Sequence, residues 1–173
     1  NMTFKIAGVQ MDIALMDKAA NLAAMETALR ETTSNGARLT IFPECAVAGY
    51  CFDSLEEAMP YAESIPGGSS QFFEELCRET DSFVIYGTLE RVNDKLFNAC
   101  LLVGPTGVIG SYRKIHLPFL GIDRFTTPGD RPFEVHDLGD IRVGMNICYD
   151  GSFPESSRVM ALNGADLVVL PTN

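Results

Sequence analysis

Basic residues are scarce in this chain: 13 Lys and Arg stand against 23 Asp and Glu, a formal charge of −10 over 173 residues. Phosphate backbones and anionic membranes are held by clustered cations. No Lys/Arg cluster occurs, which argues against nucleic acid or a membrane surface as a partner. No apolar run approaches the ~20 residues that span a bilayer, and Asn1-Met2-Thr3-Phe4-Lys5 carries no signal-peptide pattern. Histidine is limited to His116 and His136, and Cys-x-x-Cys spacing is missing, so nothing suggests a zinc site. Cysteines 45, 51, 77, 100 and 148 are odd in number. A reducing, cytoplasmic setting is expected, with most of these thiols acting as small core residues. Repeats, linkers and low-complexity segments are lacking too, so a single domain over residues 1–173 is expected.

What is present is a well-mixed globular composition, 46% hydrophobic and 21% charged. Residues 4–10 and 39–42 read as strands, and residues 18–31 place Leu22, Met25 and Leu29 on one helical face. Residues 69–80 carry Phe72, Phe73, Leu76 and Cys77 at helical spacing, before a strand at 83–89. Gly104-Pro105-Thr106-Gly107 separates strands at 96–103 and 108–114 as a hairpin. A strand over 141–148 precedes Ser152-Phe153-Pro154-Glu155, which reads as a capping box opening a helix that runs to about Asn163, with Gly164 past its end. Residues 167–170 form a last strand. The alternation of strands and helices gives an α/β class. The loop from Ile115 to Arg131 is long enough to expect a functional role.

Three residues at strand ends could carry chemistry. Cys148 stands where a strand meets a helix, a corner that exposes a nucleophile and aims backbone N–H groups at a developing oxyanion. Glu44 follows the apolar strand 39–42, where open α/β sheets keep their sites. Lys114 ends the second hairpin strand. Each also has an ordinary explanation: an inert core thiol, a solvated loop glutamate, an exposed lysine. His116 could serve Cys148 as a general base, as in papain-like enzymes, but a structural role suits a single nearby histidine better. Tyr112, Tyr149 and Phe153 read as packing residues.

In combination these segments say more. Phe42-Pro43-Glu44, Tyr112-Arg113-Lys114-Ile115-His116-Leu117 and Asn146-Ile147-Cys148-Tyr149-Asp150 occur in this order. Together they resemble the three signature regions of the nitrilase/amidase (carbon-nitrogen hydrolase) superfamily. Ile6-Ala7-Gly8-Val9-Gln10, Pro128-Gly129-Asp130 and Leu170-Pro171-Thr172-Asn173 add secondary matches across the chain.

The resemblance implies an α-β-β-α sandwich and a hydrolase of non-peptide carbon–nitrogen bonds that needs neither metal nor organic cofactor. It implies Glu44 as general base and acid, Lys114 as oxyanion stabiliser, Cys148 as nucleophile and the Tyr149 N–H as second oxyanion donor. Many members carry a second glutamate between the lysine and cysteine motifs. Here Asp123, one methylene shorter, is the only acid from His116 to Gly129. Family chains usually continue further, so the fold is expected to be incomplete at its C-terminal side, and a homodimer or higher homo-oligomer is expected. Tyr149-Asp150 after the nucleophile resembles the amidase branch. A thioester route releasing ammonia from a small linear amide or N-carbamoyl compound is therefore the expectation. A nitrilase proper, or a non-catalytic binding or assembly member, is the alternative. The pocket wall is expected from Tyr50, Phe119, Asp123 and Phe125, with Arg124 the one cation near enough to meet an anionic substrate.

Overall fold

The computed structural model describes residues 3–173, in which eight strands and four α-helices succeed one another. Strands β1 (Ile6–Gly8), β2 (Leu39–Ile41) and β3 (Phe83–Val92) run parallel. The sheet continues antiparallel through β4 (Lys95–Gly104) and β5 (Gly107–Arg113), in the order β1-β2-β3-β4-β5. A second sheet, β6-β7-β8, is made of Val135–Asp137, Arg142–Met145 and Leu167–Val169.

The two-residue period of a strand explains the layering. Val84, Tyr86, Leu101 and Val103 face helices α1 (Lys18–Ser34) and α3 (Gly68–Thr80), where they join Met25, Leu29, Phe73 and Leu76 in one core. Their neighbours Ile85, Cys100 and Leu102 face the other way and join Val143, Met145 and Val169 of the second sheet. Both faces of β3 and β4 are thus buried, and both strands read as near-continuous apolar runs. Helix α4 (Pro154–Leu162) covers the far side of the second sheet, its buried Met160 packed on Gly144. The result is an α-β-β-α sandwich. A third cluster, around Phe52, Leu89, Leu96 and Ile122, fills one end of it beside the short helix α2 (Leu55–Ala58).

The expected helices and the β4–β5 hairpin form with small boundary shifts. Two expectations fail locally. The strand foreseen over 141–148 ends at Met145, because the buried Asp150 side chain accepts the Ile147 N–H at 3.1 Å and turns the chain. Ser152 does not cap α4. Phe153 holds the N-cap position without a side-chain bond, Pro154 opens the helix, and Ser156 Oγ reaches back to the Phe153 and Asp150 carbonyls. Strand β6 and helix α2 are too short to leave a periodic signal in the sequence. Asn1 and Met2, the first two residues of the segment without a signal-peptide pattern, lie outside the described residues.

Candidate active site

Three strand ends meet at one edge of the sandwich. After β2 the chain passes Phe42 and Pro43 to Glu44, clamped along β3 by bonds from Phe42 N to Ile85 O (2.8 Å), from Gly87 N to Pro43 O (3.0 Å) and from Val47 N to Gly87 O (3.4 Å). So close an approach needs glycine at 87: a Cβ there would lie 2.3 Å from the Cys45 nitrogen and 2.6 Å from Glu44 Cα. Lys114 follows β5, its N–H bonded to the Asn98 carbonyl of β4 at 2.8 Å. The preceding Arg113 is anchored by a bidentate pair with buried Glu90 (2.6 and 2.7 Å), a geometry that fixes the strand end as well as the charge. Cys148 opens the short 3-10 helix Cys148–Ser152 with a φ of +46°, a left-handed conformation that costs a non-glycine residue strain and recurs at functional sites.

The side chains converge into one buried network. Lys114 Nζ donates to Glu44 Oε1 at 2.7 Å and to Asp123 Oδ2 at 2.5 Å. Asn98 Nδ2 donates to Glu44 Oε1 at 2.8 Å and to Asp123 Oδ1 at 2.9 Å. Tyr50 OH donates to Asp123 Oδ2 at 2.8 Å, and its ring lies 5.8 Å from Lys114 Nζ. Glu44 is 1% exposed, Lys114 0% and Asp123 2%, so none is a solvated surface group. Buried charges persist when each is paired and bonded, and here two carboxylates enclose one ammonium.

The half-buried Cys148 thiol belongs to the same field. Burial raises its pKa first, the Glu44 carboxylate raises it further, and Lys114 opposes them. The thiol therefore rests protonated beside a carboxylate able to take its proton. For Lys114 burial favours the neutral amine, but Glu44 and Asp123 outweigh it and hold the pKa above the ordinary lysine value. Tyr149 follows in the first turn after Cys148, where leading N–H groups lack partners within the turn. Lys114 has a third N–H beyond the two given to carboxylates.

Other residues are placed as follows. His116 gives its ring nitrogen Nδ1 to Asp150 at 2.7 Å and stacks on Phe153 at 3.8 Å, so it serves the turn carrying Cys148. Asp150, fully buried, also accepts from Tyr112 OH at 2.8 Å and from the His116 N–H at 2.9 Å. Arg124 is committed to the Phe52 and Gly121 carbonyls (2.9 and 3.1 Å). Phe125 packs into the Phe52 cluster. Phe119 is 75% exposed, which corrects the expectation that it walls a pocket: it sits at the outer tip of the loop, with a φ of +58°. Asn98 went unremarked in the sequence. Its signal was one amide in the middle of the apolar strand Lys95–Gly104.

A cavity of about 310 Å³ adjoins the network through Pro43, Tyr50 and Asn173, whose N–H lies 3.2 Å from Glu44 Oε2. Met11, Ile13 and Leu15 supply apolar wall, and Asp12 is the one charged residue lining it. Among the described residues no group of three or more His, Cys, Asp or Glu side chains is arranged to hold a metal ion.

This geometry sets a buried Glu44–Lys114–Asp123 network, with the half-buried Cys148 thiol near it, on a four-layer α/β sandwich. Residues 5–173 match the family model of carbon-nitrogen hydrolases, and the chain belongs to that family. It is 41% identical over 170 residues to a nitrilase of Pyrococcus abyssi, covering 98% of this chain and 64% of that protein. An omega-amidase of Homo sapiens is 34% identical over 179 residues, covering 98% of this chain and 63% of its own length. The chain thus spans a little under two thirds of these relatives. The fold is shared with a carbon-nitrogen hydrolase from Helicobacter pylori G27 (TM-score 0.86, 22% identity, 96% of this chain and 59% of that one). It is shared too with a mutant amidase from Nesterenkonia sp. AN1 bearing acrylamide on its active-site cysteine (TM-score 0.81, 23% identity, 98% and 67%). No helix among the described residues is long and apolar enough to cross a membrane.

Proposed function

We propose that the protein is an amidase-type hydrolase acting on a small, linear amide or N-carbamoyl compound, with Cys148 as nucleophile. The observation that carries this is the buried Glu44–Lys114–Asp123 network with the Cys148 thiol in its field. Cys148 Sγ attacks the carbonyl carbon while Glu44 takes the thiol proton. The carbonyl oxygen becomes an oxyanion held by the third N–H of Lys114 and by the Tyr149 N–H. Glu44 returns its proton to the nitrogen, the C–N bond breaks, and ammonia leaves a thioester. Water then attacks the thioester, Glu44 takes the water's proton, and the carboxylic acid departs as Sγ regains a proton. Asp123 holds Lys114 in place. The acyl group is proposed to be small and neutral; the cavity beside Tyr50 has Asp12 as its one charged lining residue, and Glu44, Lys114 and Cys148 lie outside its lining.

A nitrile is the second reading, favoured by the 41% identity to a protein named a nitrilase. The same three residues could add a thiol to a nitrile carbon, with Glu44 protonating nitrogen. Residues 1–173 are proposed as one domain, and a homo-oligomer and a cytoplasmic setting remain part of the proposal. The setting is supported by five free thiols. The test is ammonia release from amide and nitrile pairs sharing one acyl group. Amides are expected to be preferred, and Cys148→Ala to abolish turnover with unchanged thermal unfolding. A tenfold preference for the nitrile, about 1.4 kcal/mol of transition-state binding, overturns the amide assignment, and an active Cys148→Ala overturns the nucleophile.

A further inference from the structure

Glu44 must accept a proton and give it up again, and its two oxygens are not equivalent. Oε1 faces two donors, Lys114 Nζ at 2.7 Å and Asn98 Nδ2 at 2.8 Å. An ammonium and an amide NH2 can only donate, so a proton placed on Oε1 would confront donors alone. Each carboxylate oxygen has two lone pairs: both on Oε1 are engaged, whereas Oε2 accepts one bond, from the Asn173 N–H at 3.2 Å, and keeps a lone pair for a proton. The orientation of the Asn98 amide is itself dictated. Its two N–H bonds go to Glu44 Oε1 and Asp123 Oδ1, while its Oδ1 accepts the Cys45 thiol at 3.7 Å. A flipped amide would set its oxygen against two carboxylate oxygens.

We infer that Asn98 is a positioning residue that orients the Glu44 and Asp123 carboxylates around Lys114 and confines the proton carried in turnover to Glu44 Oε2. The turnover step rests on the amidase reading; the bonding pattern stands apart from any substrate. Asn98 is 1% exposed at the centre of β4, and the same residue holds the Lys114 backbone through its carbonyl. The charged and titratable groups facing Glu44 are Lys114 after β5, Asp123 in the long loop, Cys45 beside it and Cys148 after β7, with Tyr50 acting through Asp123.

Asn98→Leu keeps the branched shape, with somewhat more bulk, and removes both N–H donors; Asn98→Ser, which can donate at most one hydrogen bond, is the milder variant should leucine not fold. Two profiles are measured against pH in the purified protein: kcat for amide hydrolysis, and the rate at which methyl methanethiosulfonate modifies Cys148, which needs thiol deprotonation but no C–N substrate. In Asn98→Leu the low-pH limb of both profiles is expected to move up by about one pH unit, the equivalent of losing one hydrogen bond to a charged group. Asn98→Ser is expected to move it less, in the same direction. The kcat should fall at least tenfold with KM within threefold. Limbs that stay within 0.2 pH unit in a folded variant, or a loss confined to KM, overturn the inference. If no amide is hydrolysed by the wild type while the modification limb still shifts, the function falls and the role of Asn98 stands.

Discussion

Gly87→Ala isolates how far the site depends on one backbone contact. The added methyl would sit 2.3 Å from the Cys45 nitrogen, 2.6 Å from Glu44 Cα and 2.7 Å from the Glu44 carbonyl carbon. Ordinary contact begins near 3.4 Å, so the Glu44 segment has to retreat by about 1 Å, and a displacement of that size can cost about a hundredfold in rate. That is about 2.7 kcal/mol of transition-state stabilisation. The atoms met are backbone, clamped by two bonds to Gly87 itself, so no side-chain rotation can absorb the strain. Overpacking of this kind also lowers stability by about 1–3 kcal/mol. The assay is kcat/KM for amide hydrolysis beside thermal unfolding. Gly8→Ala is the control, because a Cβ there meets nothing within 4 Å. A folded Gly87→Ala protein with kcat/KM within threefold of wild type would refute the claim that β3 places Glu44.

Three further outcomes are expected. Lys114→Met leaves Glu44 and Asp123 buried without their cation and should cost about 3–5 kcal/mol in urea unfolding; adding Glu44→Gln should recover part of that loss, and strict additivity of the two changes would speak against a coupled network. In the wild type, the high-pH rise in Cys148 modification by methyl methanethiosulfonate should have its midpoint above the ordinary thiol value of 9.0, because burial and then Glu44 both disfavour the thiolate. Glu44→Gln removes the second of those causes, so its midpoint should drop; an unchanged midpoint would mean that Glu44 does not face the thiol. Phe73→Ala, at the centre of the helix-facing core, should cost about 3–5 kcal/mol of stability, read as an earlier urea midpoint, and a loss under 1 kcal/mol would show that core to be poorly packed.

By itself the sequence determined the alternation of elements, because apolar period and turn chemistry are local. Gly104 to Gly107 could only close a hairpin, and Leu22, Met25 and Leu29 could only line one helix face. It also ordered the three segments that carry Glu44, Lys114 and Cys148. Only the tertiary structure decided that these side chains come near one another: Glu44 and Lys114, 70 residues apart, meet through sheet pairing, and Cys148 arrives from the second sheet packed against the first. It made Asp123 part of the network: a loop acid has no partner until Tyr50, Asn98 and Lys114 surround it. It turned His116 away toward Asp150, and it sent Phe119, two residues beyond Leu117, out into solvent. The role of Asn98 was hidden for the same reason. A lone amide in an apolar strand announces that something must satisfy it, but which carboxylates do so depends on strands and loops that sequence distance does not relate.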